Sequence, residues 1–331
     1  MKALWDHIAE CQETFEKYMA TAWPNVEPFE MEDNVKKLMS VLKNMKVDKR
    51  CDAYNGSMNE IKKMLVFLPL IGELRNEAMR DRHWDIIRKM VGQDFKVDES
   101  LMLRDIYDMN LGGFAEEVEE CTDQARQEAK MEKTLAKLKA TWSVVKFDFA
   151  AFKDTEYHTA RLGEEDFEAL EEDQTKVTAM LGSRYLATFE DEINMWNTNL
   201  ELINGIVVSL REVQQSWGYL ENLFIHSEEV KKELPKAAEE FVKIDASVKF
   251  LLKDAYEKQF ALDFSSQDGH LAKIEGCQAE LIKCEKALNK FMADKRSTFP
   301  RFHFVSDSDL LDMLSNGSQP DKVMHHLPKI F

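Results

Sequence analysis

Residues 185–224 read YLATFEDEINMWNTNLELINGIVVSLREVQQSWGYLENLF, and their apolar side chains recur by alternating fours and threes. Tyr185, Phe189, Ile193, Trp196, Leu200, Ile203, Val207 and Leu210 make one seam, the spacing that holds one face of a helix against a partner in a coiled coil. The register slips by one at Val213 and resumes through Trp217, Leu220 and Phe224. The pattern predicts a single helix of about 40 residues, or ~60 Å at ~1.5 Å per residue. That is longer than a compact domain is wide, so the helix must be covered along its length. The stretches 235–258 and 270–295 are the expected partners. The second carries Leu271, Ile274, Cys277, Leu281, Cys284, Leu288 and Phe291 on one face, and three antiparallel helices then make a bundle.

Upstream, Leu4, Ile8, Cys11, Phe15 and Met19 mark an amphipathic helix that the Trp23-Pro24 step ends. Further helices are expected over 31–47 and 54–67, with a shorter one from near Arg80 that Gly92 closes. A long helix is predicted from about Phe114 to Ala140, its polar side solvated by Glu, Lys and Arg. After Trp142 the period drops to two: Val145, Phe147 and Phe149 alternate with Lys146, Asp148 and Ala150, and a polar turn leads to 157–162. This is read as one β-hairpin. Past Phe299-Pro300-Arg301-Phe302 and the apolar stretch 303–305, Ser306 and Asp307 open a small helix to about Ser315.

The expected class is mainly all-α, an elongated array of antiparallel helix bundles with one small β-hairpin. The expected divisions are 1–95, a helical subdomain; 96–184, the long helix, hairpin and following helix; and 185–331, the three-helix bundle with short C-terminal helices. Only 12 Gly and 7 Pro in 331 residues leave few places to build turns. No fixed-period solenoid is read, because the surroundings of Trp84, Trp142 and Trp196 are dissimilar.

The composition excludes several functions. With 44 Lys and Arg against 61 Asp and Glu, the formal charge is −17, unsuited to displacing counterions from phosphates; no nucleic acid is expected. The apolar run around 64–70 is far short of the ~20 residues that span a bilayer, and no leader pattern opens the chain; no membrane contact is expected, and the chain reads as soluble and cytoplasmic. The five cysteines are odd in number and scattered, which reads as reduced thiols.

Neither G-x-x-x-x-G-K-[ST] nor G-x-G-x-x-G occurs, so no nucleotide hydrolysis, no cofactor and no catalytic set are expected within these residues. Cys277 and Cys284 lie two helical turns apart, ~10 Å, too far to share one zinc; both read as core. His325 and His326 read as surface or capping residues, and no metal site is expected. Acidic runs such as Glu116-Glu117, Glu119-Glu120 and Glu171-Glu172-Asp173 read as solvated helix faces. Trp142, Trp196 and Trp217 read as core, and Trp84 as core on a shorter stripe.

Several blocks carry a more specific signal: Arg82-His83-Trp84; Phe189-Glu190 through Trp196; residues 213–224, VQQSWGYLENLF, with Trp217, Tyr219, Leu220 and Phe224; Leu234-Pro235; and residues 295–305, KRSTFPRFHFV, with Phe299, Pro300, Arg301 and Phe302. In order and spacing they resemble the N-terminal part of the linker of dynein motor heavy chains, over nearly the whole chain. The resemblance implies that the rest of the linker and the AAA+ ring lie beyond Phe331, that the chain is a fragment, and that it is not itself an enzyme. It implies a lever that bends and straightens with ATP state, whose partners are the AAA+ ring of the same heavy chain and, through the full-length motor, other dynein subunits and microtubules.

The blocks 114–118 and 314–317 look closer to axonemal than to cytoplasmic dyneins, which implies the axoneme of a cilium or flagellum. Two positions depart from the pattern: His303 stands where the family more often has Tyr, and Gly218 inserts a flexible residue beside Trp217. Bending is expected between helix bundles, at 163–166 or 264–270. The alternative is a static, spectrin-like scaffold or tether, which predicts three-helix units of equal length.

Overall fold

The computed structural model describes residues 2–315 and 320–330. The block expected over 314–317 therefore falls partly outside the described residues, at Asn316 and Gly317. The chain is all-α with one small hairpin, and it divides into two compact units, residues 1–134 and 135–331. The division falls inside one continuous helix.

In the first unit, α1 (Lys2–Met19), α2 (Pro28–Asn44), α3 (Asp52–Leu74), α4 (Asp81–Val91) and α5 (Leu103–Asp108) precede the first part of α6 (Ala115–Trp142). The core joins Leu4, Val35, Leu42, Ile61, Leu68, Ile71, Ile87 and Val118. Trp23 sits edge-on to Trp84 with ring centroids 5.7 Å apart, and both are buried in this core. A bridge between Ala22 and Met102 ties the chain after α1 to the start of α5. Gly92 ends α4 at φ 73°, a left-handed cap that glycine adopts without strain.

One boundary departs from the expectation. Helix α3 does not stop near Phe67 but runs through Pro69 to Leu74. Proline removes one helical hydrogen bond, but the extra turn buries Leu68, Ile71 and Leu74 almost completely. Burial at ~1.5–3 kcal/mol per large aliphatic side chain outweighs the lost bond.

In the second unit, the end of α6 leads to β1 (Asp148–Ala151) and β2 (His158–Arg161), paired antiparallel with Phe149 opposite Ala160. Then follow α7 (Glu164–Leu181), α8 (Glu190–His226), α9 (Glu228–Glu233), α10 (Pro235–Lys258), α11 (Ala261–Ser265) and α12 (His270–Thr298). The chain closes with α13 (Asp307–Ser315), α14 (Pro320–Met324) and α15 (Leu327–Ile330).

Helix α8 is the axis of this unit, with α7, α10 and α12 packed on it. Phe224 stacks on Phe241 and Trp217 reaches Asp245, so α10 runs antiparallel to α8. Glu212 meets Gln278 and Gly205 meets Leu271, so α12 runs parallel to α8 and antiparallel to α10. The bundle is up, down, up. The predicted seam is present, but the helix begins at Glu190 and its first buried residue is Ile193, not Tyr185, because residues 182–189 are spent on a break and a short 3-10 turn. The register slip also lies elsewhere: Ile206, not Val207, is the buried residue after Ile203. The shift comes where Gly205 brings the helix against Leu271 of α12.

Gly218 has a role that its flexibility does not explain. A β-carbon there would lie 3.4 Å from Cε2 of Phe152, whose ring covers Trp217 at a centroid distance of 4.3 Å. A methyl would just touch the ring there, so the hairpin turn lies against the helix with room for a small side chain and no more. Gly218→Ala should therefore be nearly tolerated, whereas Gly218→Val should displace Phe152 and destabilise the chain by about 1–3 kcal/mol in urea unfolding.

Candidate functional site

The blocks singled out in the sequence become three places where buried polar groups tie elements together. In the first unit, Arg82, His83 and Trp84 open α4. His83 is fully buried; its Nδ1 accepts the Arg80 backbone N–H at 3.0 Å, and its Nε2 donates to Glu128 of α6 at 3.1 Å. That pattern assigns the neutral tautomer with the proton on Nε2. Glu128, also fully buried, takes Arg82 Nε at 2.5 Å and Gln124 Nε2 at 2.7 Å. Burial pushes the Glu128 carboxyl up, but the hydrogen bonds from Gln124 and Arg82 and the guanidinium charge outweigh it and hold the group below the usual carboxylate range. Burial lowers the His83 imidazole, with the Glu128 charge opposing it.

In the second unit the hairpin is fastened onto α8 and α10. Gln214 of α8 acts as a third strand: its Oε1 accepts Ala160 N–H at 2.7 Å and its Nε2 donates to Ala160 O at 2.8 Å. Trp217 is fully buried, and its Nε1 donates to Asp245 of α10 at 2.9 Å. Lys153, in a left-handed turn conformation, pairs with the nearly buried Glu221, which also faces His226 at 3.5 Å. Tyr256 of α10 takes Phe149 edge-on and His158 face-on. Leu220 and Phe224 are core, whereas Pro235 is exposed at the first position of α10, where its missing N–H costs nothing. Trp196 is core on α8, its indole N–H buried without a hydrogen-bond partner among the described residues.

The third place is the turn after α12. Pro300 starts a 3-10 turn over Pro300–Phe304, and Phe299 and Phe302 pack edge to face at 4.9 Å. Arg296 holds this turn, donating to the carbonyls of Phe302 and Val305 and pairing with Asp307 at 2.6 Å. Arg301 is exposed. Tyr219 is about half exposed, and burial, with the Asp307 and Glu285 charges, raises its phenol. Ser306 caps α13 by accepting the Asp309 N–H at 3.1 Å.

None of the three places brings a nucleophile to a base. Among the described residues no three His, Cys, Asp or Glu side chains converge in a way that could hold a metal ion. Cys284 and Cys277 are buried, and burial pushes the Cys284 thiol to about 11. His326 pairs with Asp312 at 2.7 Å, and His325 is exposed. No helix of the described residues is long and apolar enough to cross a membrane.

The whole of residues 1–331 matches the family described as dynein heavy chain, N-terminal region 2. The chain belongs to the dynein heavy chain family. It is 41% identical over 333 residues to the dynein alpha chain, flagellar outer arm, of Chlamydomonas reinhardtii. It is 34% identical over 332 residues to the ciliary dynein beta chain of Tripneustes gratilla and to human dynein axonemal heavy chain 17. In each case all of this chain is covered, and it spans about 7% of the relative's length. These relatives are axonemal, ciliary and flagellar dyneins.

Within this dynein segment, the residues that sequence reasoning missed are the acceptors. Glu128, Asp173, Gln214, Glu221 and Asp245 sit in helices whose charged positions read as solvated. Asp173 corrects that reading directly: it is nearly buried and accepts the Trp142 indole N–H at 3.2 Å. Glu116, Glu117, Glu119 and Glu120 do lie exposed. For Asp173 and Asp245 the available signal was the buried tryptophan, since the indole N–H groups of Trp142 and Trp217 find their acceptors there; Glu128, Gln214 and Glu221 pair with other groups and had no such signal.

Glu128→Ala should cost about 1–3 kcal/mol, mainly by leaving the buried His83 N–H without an acceptor, since Arg82 is more than a third exposed and stays solvated. A His83 value lowered from 6.5 means that its contribution is complete above pH 6.5 and is lost as pH falls toward the lowered folded value. Unfolding free energy should therefore be level above pH 7 and decline below 6.5. His83→Gln, which keeps an acceptor for the α4 cap and a donor for Glu128, should make that decline shallower without abolishing it, because burial lowers the His270 imidazole in the same way.

Proposed function

We propose that this chain is the N-terminal part of the linker of an axonemal dynein heavy chain, a non-catalytic lever that lies across the AAA+ ring of the same polypeptide. On this reading it bends and straightens with the ATP state of the ring to produce the power stroke, and the full-length motor works on microtubules in the axoneme of a cilium or flagellum. Membership in the dynein heavy chain family over every residue is the observation that carries the proposal. The build of the second unit supports it: a lever must transmit force, and α8 is an unbroken 37-residue helix backed by three others.

Bending is assigned to the connections between helices and not to α8. Of the two connections considered, residues 264–270 are pinned, since Phe264 and His270 are buried and their rings meet at 4.8 Å. Of the stretch 163–166 only Gly163 belongs to the connection, because α7 begins at Glu164; none of its residues is buried, and it is the better hinge. A static scaffold of equal repeats fits less well, because α7, α8, α10 and α12 have 18, 37, 24 and 29 residues.

The test uses the full heavy chain carrying Gln214→Ala with Lys153→Ala, which unfasten the hairpin from α8. A lever predicts continued ATP hydrolysis with microtubule gliding slowed severalfold. Unchanged gliding would favour the static scaffold.

A further inference from the structure

The connection between α2 and α3 stands apart electrostatically. Residues 36–50, KKLMSVLKNMKVDKR, hold six cations and one acid in a chain of net charge −17. Lys36 is paired with Glu32 at 2.7 Å. Lys37, Lys43, Lys46, Lys49 and Arg50 are exposed, and among the described residues none of them has a carboxylate within ion-pair distance. The one acid is occupied locally, with Asp48 Oδ1 accepting the Arg50 N–H at 3.0 Å.

The loop is also shaped in advance. Val47 N–H bonds to Met45 O at 3.0 Å and Cys51 N–H to Asp48 O at 3.2 Å. At the same tip, the 23-residue helix α3 begins without a side-chain cap on Cys51, but the exposed Asp52 carboxylate in its first turn offsets its N-terminal dipole, so the lysines and Arg50 alone carry the positive potential. Unpaired cations on an ordered loop in an otherwise acidic chain make a defined target for an anion, because the rest of the surface repels what this tip attracts.

The chemistry of the anion can be narrowed. Residues 36–50 contain no aromatic side chain on which a base could stack, and one arginine gives little bidentate phosphate recognition. The fully exposed apolar side chain is Val41, while Leu38, Met39, Met45 and Val47 are half-buried and packed against the core, too little to enter a lipid interface. Lys43 lies in the last turn of α2 and Lys46 and Lys49 on the loop that follows, so the tip presents exposed ammonium groups, point charges that pair with single carboxylates without bidentate geometry. We infer that the α2–α3 tip is a docking surface for an acidic polypeptide segment, rich in Glu and Asp, on a partner protein.

The test is fluorescence anisotropy of a labelled decaglutamate peptide with residues 1–331 at about 50 mM salt, where screening is weak. Wild-type binding should weaken as salt rises, and K43E/K46E/K49E/R50E should reduce affinity by at least about tenfold. The control K130E/K133E/K137E/K139E makes the same charge change on exposed positions of α6 and should leave affinity within about twofold. The neutral set K43Q/K46Q/K49Q/R50Q, read beside its helical circular dichroism, gives the same answer if the reversal variant misfolds. Three results would overturn the inference: no peptide binding by the wild type, equal loss in the tip and α6 variants, or tighter tip-dependent binding of single-stranded RNA or phosphatidylserine vesicles than of the peptide.

Discussion

The second unit depends on keeping one helix covered. In α8 the buried positions run from Ile193 through Trp196, Leu200, Ile203, Ile206, Leu210, Val213, Trp217 and Leu220 to Phe224. Left in water, so long an apolar face would not be tolerated, and helical propensity alone would not hold 37 residues together. The flanking elements follow from this requirement: α7, α10 and α12 lie along the seam, and the hairpin closes the remaining gap over Trp217. A helix covered in this way resists bending, since any kink would open packed surface along its length.

Packing of this kind is non-directional, and alone it would tolerate sliding. Register comes from a few buried polar pairs. Trp217 to Asp245 fixes α8 against α10, Trp142 to Asp173 fixes the end of α6 against α7, and Gln214 fixes β2 to α8 through both backbone groups of Ala160. The Arg82, His83 and Glu128 cluster does the same for α4 and α6 in the first unit. Each pair is worth little as net stability but much as a penalty against any other arrangement, because a displaced register would bury a donor or a charge without its partner. For a segment proposed to carry force, uniqueness of packing matters more than total stability.

Charge is distributed by a different logic. Acidic faces on α6 and α7 are mostly solvated, consistent with an anionic chain that stays apart from other acidic surfaces, while the cations between α2 and α3 are concentrated and unpaired. That asymmetry does not contribute to either core. It is the kind of feature that exists for something outside the chain.

The helices, the single hairpin and the core tryptophans were legible in the sequence because periodicity reports directly which face meets a partner: the seam of α8, the switch to period two at Val145, and Gly92 as a stop all depend on neighbours within a few residues. Boundaries set by distant contacts were not legible. Whether α3 would end at Pro69 depended on how much its last turn could bury, and the slip at Ile206 depended on Leu271 of another helix. The acceptors Glu128, Asp173, Gln214 and Asp245 were invisible for the same reason: a carboxylate or amide on a helix looks alike whether it faces water or an indole N–H until the partner helix is in place. Gly218 read as a flexible interruption and proved to be a regular helical position facing the Phe152 ring. The sequence by itself determined which residues must leave water; only the tertiary structure decided which polar groups went with them, because hydrophobic spacing is local and hydrogen-bond partners are not.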